Sequence, residues 1–203
     1  KGKNWKQYVD SRRLEITCGE APYIVSRYDA ATGEIIPIER RIGILDRKLR
    51  IVNENATDED EWFKWAFRAF QSVYGYEFQG DSVLIARENL LYDYIDYYEA
   101  RFGEKAPLSL LKKIANIIAW NIWQMDGLKG VVPYSCHEIK ETFHQMNLFE
   151  ETEEKISTMC PGCAKNDIFG HTGIYCRIYD WTNLNKSIRF IDVMKEGASH
   201  GKI

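Results

Sequence analysis

The alternation of apolar and polar positions along the chain predicts buried strands separated by amphipathic helices. Three short apolar runs have the length of strands, and each runs into a glycine or an acid. Between them, apolar residues recur every three or four positions, which is the spacing of a helix with one buried face. Strands that alternate with helices indicate an α/β domain with a largely parallel sheet. The predicted strands span residues 14–18, 72–78 and 122–125.

The helical segments carry recognisable start and stop signals. Thr57 precedes an acidic run at residues 58–61, and acids favour the positive end of the helix dipole. Gly80 and Asp81 are expected to begin a further helix, which Gly103 ends. The predicted helices span residues 5–13, 42–53, 58–71, 82–101 and 110–120.

The composition of the sequence changes from residue 131 onward, where polar, acidic and Cys-rich stretches follow one another. We therefore predict an α/β core over residues 1–130 and a peripheral part of the same domain over residues 131–203. The peripheral part is predicted to contain a polar, acidic helix at 137–155, a Cys-rich knuckle at 159–176 and two late strands at 175–179 and 187–193.

Composition restricts the class of protein. With 203 residues and 45% hydrophobic residues, the chain can form a sizeable core, which excludes wholesale disorder. A net charge of -3 argues against a self-sufficient DNA-binding domain, although DNA contacts can lie in another segment or subunit. No apolar run approaches the ~20 residues of a membrane span. The 5 cysteines are odd in number and unevenly spaced, which favours a reduced, cytoplasmic setting over a disulfide framework.

The first predicted strand runs into a loop of small residues, and the second ends on an acid. Gly19 allows the backbone to approach a ligand, and Glu20 or the loop amides are suited to a charged amino-acid group. The alternative is an ordinary turn. Glu77 lies at the carboxyl end of a strand, where acids of α/β sheets face the ligand crevice. Its alternative is a helix cap, a role for which Asp81 is better placed.

Two further acids are candidates for the same crevice. Asp126 follows the third strand and precedes a glycine, so it either accepts a hydrogen bond from an adenine amino group or closes a plain turn. Asp46 competes with Glu77 as a ligand-binding acid, but its setting predicts an exposed position on a helix.

A possible zinc site lies in the Cys-rich knuckle. Cys160 and Cys163 form a CxxC pair, and His171 with Cys176 can complete a tetrahedron. Four protein ligands leave no open position, so such a zinc would be structural. The alternative is a set of unrelated, reduced cysteines.

Aromatic and basic side chains have plain structural interpretations as well as functional ones. The basic residues at 40–41 and 47–50 are typical of a solvated helix face, and a phosphate contact is the alternative. The tryptophans on apolar faces are more typical of a core than of base-stacking platforms. They are Trp62, Trp65, Trp120, Trp123 and Trp181.

Residues 14–23 (LEITCGEAPY), 74–81 (YGYEFQGD) with 86–91 (ARENLL), and 121–128 (NIWQMDGL) together resemble restriction-modification DNA methyltransferases of the adenine-N6 class. The resemblance covers most of residues 5–195. It implies a Rossmann-like methyltransferase sheet with helices on both faces, which binds S-adenosyl-L-methionine. In that family the first loop wraps the cofactor, the acid after the second strand holds its ribose, and the acid after the third strand contacts its adenine. These roles would fall to Cys18, Gly19, Glu20 and Tyr23, to Glu77, and to Asp126.

Two departures from the family pattern limit what the resemblance implies. Ala21 stands where many members have a second glycine, and the catalytic Asn/Asp-Pro-Pro-Tyr/Phe signature is absent. The nearest echo, at residues 132–134 (VPY), lacks both the amide and the second proline.

The resemblance therefore predicts only the cofactor-binding part of a DNA methyltransferase, catalytically weak or inactive by itself. A missing segment or partner would complete it, and DNA would be held through other segments or through a restriction or specificity subunit. The alternative is a non-catalytic module that binds protein or nucleic acid and contains a structural zinc site.

Overall fold

A computed structural model describes residues 4–29, 31–146, 151–182 and 186–193. The chain forms two compact units, Lys1–Gln124 with Ile178–Ser187, and Met125–Arg177 with Ile188–Ile203. The sequence predicts a boundary after residue 130, whereas the units divide between residues 124 and 125. Residues 178–187 belong to the first unit again. Among the described residues, no helix is both long and apolar enough to span a bilayer.

A small parallel sheet lies in the first unit, in the order β1-β2-β3. Leu14 is aligned with Tyr74 across the first pair, and Tyr76 with Trp123 across the second. The central strand β2 is therefore the one that both neighbours share. The predicted α/β class with a parallel sheet is confirmed, and the three predicted strands are found within two residues of their expected ends. They are β1 (Arg13–Ile16), β2 (Val73–Glu77) and β3 (Ile122–Gln124).

The helices of the first unit follow the predicted periodicity. Asp58, one residue after the expected Thr57, caps α3 by accepting a hydrogen bond from the Glu61 amide at 2.8 Å. Gly103 ends α4 in the left-handed conformation, with φ 70°. These helices are α1 (Trp5–Asp10), α2 (Ile44–Asn55), α3 (Glu59–Gln71), α4 (Gly80–Phe102) and α5 (Leu108–Asn121).

Aromatic side chains fill the core between α3 and α4. Trp62 is fully buried, and its ring meets that of Phe102 edge to face at 5.1 Å between centroids. Tyr94 and Tyr98 pack on the same indole. Trp123 is also buried, so both tryptophans belong to the core and not to an exposed stacking surface.

The second unit differs most from the sequence-based expectation. The predicted helix at 137–155 is wrong, because residues 139–146 and 151–155 lie in two antiparallel strands that form a hairpin, β4 (Ile139–Met146) and β5 (Glu151–Thr158). Strand preference depends on cross-strand partners that a local polar pattern does not contain. A short helix α6 (Pro161–Lys165) follows the hairpin.

The two late strands are present, each shifted from its expected position. They are β6 (Arg177–Asp180) and β7 (Lys186–Arg189), which form a two-stranded sheet. The second is shorter than predicted because residues 190–193 are helical.

Candidate cofactor loop and metal centre

Backbone strain is concentrated in the loop that follows β1. Thr17, Gly19 and Ala21 have φ values of 50°, 54° and 65°. This left-handed region suits glycine but costs other residues free energy, and it is especially unusual for β-branched threonine. Sparsely populated conformations of this kind cluster at ligand sites, where the surrounding structure enforces them.

Glu77 ties this loop to the end of β2. One carboxylate oxygen, Oε2, accepts a hydrogen bond from the Gly19 amide at 2.9 Å. The other, Oε1, accepts from the amides of Phe78 at 2.7 Å and Gln79 at 3.2 Å. A carboxylate has about four acceptor positions, so three backbone donors leave Glu77 with little spare capacity, mainly on Oε2. The structure thus brings Gly19 and Glu77 together at the carboxyl end of the sheet.

The other predicted loop residues, Cys18, Glu20 and Tyr23, have different surroundings. Cys18 is buried, and burial together with the charge of Glu77 raises the pKa of its thiol to about 12, so the thiol is neutral and not reactive. Glu20 accepts a hydrogen bond from the Tyr28 hydroxyl. Tyr23 is 73% exposed and borders an open cleft of about 480 Å³ that Glu15 and other residues also line.

Asp126 belongs to the second unit and closes a turn there. Its carboxylate accepts a hydrogen bond from the Leu128 amide at 3.1 Å and lies 3.5 Å from the Lys129 ammonium. Its backbone pairs with Val131. These contacts match the plain-turn interpretation of Asp126, and its role toward adenine stays a prediction.

Asn89, which the sequence did not single out, and Asp46, a candidate with a different predicted setting, hold the loop in place. Asn89 on α4 donates from Nδ2 to the Glu20 carbonyl oxygen at 3.0 Å. Asp46 accepts hydrogen bonds from the Ser26 amide at 2.8 Å and the Gly43 amide at 3.0 Å. Asp46 is helical as predicted but fully buried, so its predicted exposure is wrong. The segment that follows β1 is therefore held by side chains of α2 and α4.

A buried charged network supports the same segment. Arg41 donates to Asp93 and to Asp96, each at 2.7 Å. Burial raises the pKa of Asp93 well above its ordinary value, and the neighbouring Asp46 carboxylate raises it further. The buried atoms Asp46 Oδ1 and Asp93 Oδ2 have no hydrogen-bond partner among the described residues.

Part of the basic cluster expected on a solvated helix face is likewise buried. Arg41 is 2% exposed and Lys48 is 1% exposed. Lys48 donates from Nζ to the Val9 carbonyl oxygen at 3.0 Å and the Ser72 hydroxyl at 2.6 Å. Both side chains are therefore structural parts of the first unit and not solvated charges.

The second unit assembles three cysteines and one histidine. The sulfur atoms of Cys136, Cys160 and Cys163 each lie 3.6 Å from His171 Nδ1. All four ligand atoms lie within 4.8 Å of one another. The group could therefore hold a single metal ion.

The distances fit a tetrahedral zinc ion. With Zn–S bonds of about 2.3 Å and Zn–N bonds of about 2.0–2.1 Å, tetrahedral angles place sulfur and nitrogen about 3.6 Å apart. A two-iron cluster distributes its ligands over two separate metals and spreads them more widely. Three thiolates and an imidazole are also ligands that zinc prefers.

Local backbone geometry brings these ligands together. Cys160 precedes α6 and Cys163 lies within it, so the CxxC pair forms one knuckle. A side chain at Gly162 would lie 2.6 Å from the His171 backbone nitrogen, so only glycine permits this approach. The Thr172 amide donates to the Cys160 sulfur at 3.3 Å. Such contacts orient a metal-binding thiolate.

The electrostatics of the cluster favour a cation. Burial and the nearby sulfurs of Cys163 and Cys160 raise the pKa of Cys136 to about 11. Burial also raises the pKa of Cys160, but hydrogen bonds from Thr172, the Cys163 backbone and His171 together outweigh it and lower that pKa to about 5. The charges of Asp126 and then of Cys163 raise the pKa of Lys129, an ammonium suited to balance a metal site that carries net negative charge. A bound metal removes the repulsion between neighbouring thiolates and releases their protons.

The fourth ligand differs from the predicted one. Cys160, Cys163 and His171 are in the cluster as expected, but Cys136 takes the place assigned to Cys176. Cys176 lies elsewhere in the unit, where burial raises the pKa of its thiol to about 12. Cys136 is separated from Cys160 by the whole β4–β5 hairpin, and the only signal for it in the sequence is that it is a further cysteine.

Comparison with known proteins adds no assignment: no protein-family model, curated protein or solved structure shows a significant match to this chain.

Proposed function

We propose that this chain is the S-adenosyl-L-methionine-binding part of a DNA adenine-N6 methyltransferase from a restriction-modification system. The observation that supports the proposal best is the strained loop at the carboxyl end of β1, whose Gly19 amide is bound by Glu77 at the end of the adjacent strand β2. Cofactors of α/β proteins bind at this end of the strands. The residues that form the arrangement are the ones on which the family resemblance rests.

The chain's own residues would position the cofactor and would not activate it. The methyl group of a sulfonium is already reactive, so the protein contributes chiefly orientation. We assign to the loop amides the cofactor's charged amino-acid group. To Glu77 we assign one ribose hydroxyl, which fits the remaining capacity of Oε2.

Transfer to adenine requires parts that this sequence does not contain. The Asn/Asp-Pro-Pro-Tyr signature is absent, and its nearest echo at 132–134 forms part of the turn that leads to Cys136. The net charge of -3 also makes DNA binding through this chain alone unfavourable. The catalytic segment and the DNA contacts would therefore come from another segment or from a partner restriction or specificity subunit, in the cytoplasm.

Calorimetric titration with S-adenosyl-L-methionine tests this proposal. We expect saturable binding by the purified chain, loss of binding in Glu77→Ala, and unchanged binding in Glu54→Ala, an exposed acid on α2. Failure of a folded wild-type chain to bind millimolar cofactor would refute the proposal.

We further propose that the Cys₃His group holds a structural zinc ion. Four protein ligands leave no open coordination position for a substrate. Protein purified with zinc should contain one equivalent of the metal, and a folded sample with none would contradict this assignment. Zinc without cofactor binding would instead favour the non-catalytic interaction module.

A further inference from the structure

Metal ligands lie at both ends of the β4–β5 hairpin. Cys136 comes shortly before Ile139, where β4 begins, and Cys160 comes shortly after Thr158, where β5 ends. Ile139 is aligned with Thr158 at the base of the ladder. One ion bound to both cysteines would therefore join the two ends of the hairpin.

In the described part of the hairpin, the two strands pair through their backbones only with each other. β4 and β5 form a sheet of their own, in which neither strand pairs with a third. At its base, Ser157 donates a hydrogen bond to Glu138, and Thr158 donates to the Ile139 carbonyl oxygen at 3.4 Å. Isolated two-stranded hairpins are only marginally stable in water. A constraint at its base would therefore stabilise the ladder.

Thr172 connects the hairpin base to the metal ligands. It follows His171, and its hydroxyl donates to the His137 carbonyl oxygen at 2.7 Å and accepts from the His137 amide at 3.1 Å. Its own amide donates to the Cys160 sulfur at 3.3 Å. Thr172, the residue beside His171, is thus bonded to the His137 backbone before β4 and to the Cys160 sulfur after β5, so movement of the ligands would move the hairpin base.

We propose that a metal ion held by Cys136, Cys160, Cys163 and His171 clamps the base of the β4–β5 hairpin, so that the hairpin is folded only while the metal is bound. The inference rests on the proposed zinc site and is independent of cofactor binding. The physical reason is that the metal closes a long loop, and the entropy cost of bringing its ends together is then met by ligand bonds.

Hydrogen exchange of the whole chain, followed by mass spectrometry, tests the clamp. After removal of zinc by a chelator, we expect amides in β4 and β5 to exchange at least about tenfold faster, as expected for local unfolding. Amides in β1, β2 and β3 should keep their rates. Restoring zinc should restore protection of the hairpin.

Two cysteine variants separate the possible outcomes. Cys136→Ser should lose zinc and show fast hairpin exchange even with zinc present. Cys176→Ser, which changes a buried cysteine outside the cluster, should keep both zinc and protection. If wild-type protein binds no zinc, the metal assignment itself fails. If zinc binds but its removal leaves hairpin exchange unchanged, the site is retained and the clamp is overturned.

Discussion

Replacing Ala21 by glycine tests whether the loop after β1 is strained. Ala21 is fully buried and has φ 65°. Loss of a buried methyl group costs about 0.8 kcal/mol, and the extra freedom of glycine in the unfolded chain costs roughly 0.5–1 kcal/mol. Removing the strain of alanine in the left-handed conformation stabilises the folded state by about 1–2 kcal/mol. We therefore expect Ala21→Gly to change the free energy of unfolding by no more than about 0.8 kcal/mol in either direction.

Ala86 provides a matched control. It is also fully buried but lies inside α4, where the backbone is right-handed. Ala86→Gly loses the same methyl group and about 1 kcal/mol of helix propensity, with no strain to relieve. Its expected cost is therefore about 2 kcal/mol, which should separate it clearly from Ala21→Gly.

Urea unfolding followed by tryptophan fluorescence measures both variants. All 6 tryptophans lie in the first unit, so the signal reports on the part of the chain that contains both alanines. The difference in unfolding free energy follows from the midpoint shift when the slope is unchanged. If Ala21→Gly costs as much as Ala86→Gly, the strained-loop reasoning is refuted.

Further predictions concern buried charges and the metal knuckle. The pKa of Asp93 is raised in the folded state, so the free energy of unfolding of the wild-type chain should fall as pH rises above about 4. In urea unfolding measured over a series of pH values, Asp93→Asn should show a smaller fall. Burial lowers the pKa of Lys48 to about 7, so stability should rise between pH 7 and about 10, and Lys48→Met should abolish that rise. Gly162→Ala would place a carbon 2.6 Å from the His171 nitrogen, so it should reduce the zinc content measured by elemental analysis, whereas Gly80→Ala should not. Equal pH profiles, or equal zinc contents, would contradict the respective reasoning.

The elements of the first unit are predictable because their signals are local. Strand β2 is an apolar run between polar boundaries, and α3 begins at a capping acid followed by further acids. Each pattern lies within a few residues and agrees with the tertiary structure. The helix predicted at 137–155 failed because strand pairing joins Ile139 to Thr158, residues that no local window compares.

The sequence predicted members of the candidate metal site only where they are close together in the chain and of a recognisable residue type. The CxxC pair correctly predicted two members of the Cys₃His group, since a knuckle of that length places both sulfurs on one side. Cys136 reaches the same group only because β4 and β5 return the chain to its starting point. The burial of Asp46 was mispredicted for a similar reason, because it depends on α4 and on the loop at Ser26.

Ala21 differs from the family pattern in residue type, but its backbone has the conformation expected of the family's glycine. The resemblance to adenine-N6 methyltransferases weakens at this position, because many members have glycine there. Yet the backbone at Ala21 has φ 65°, a conformation that glycine adopts without strain, and Gly19 in the same loop has φ 54°. The loop at Ala21 therefore has a backbone conformation that is typical of glycine. Burial of the alanine methyl group offsets the free-energy cost of that conformation. The substitution is thus compatible with a cofactor loop, and it makes Ala21→Gly a test of loop conformation in which cofactor affinity and stability can be measured on one variant.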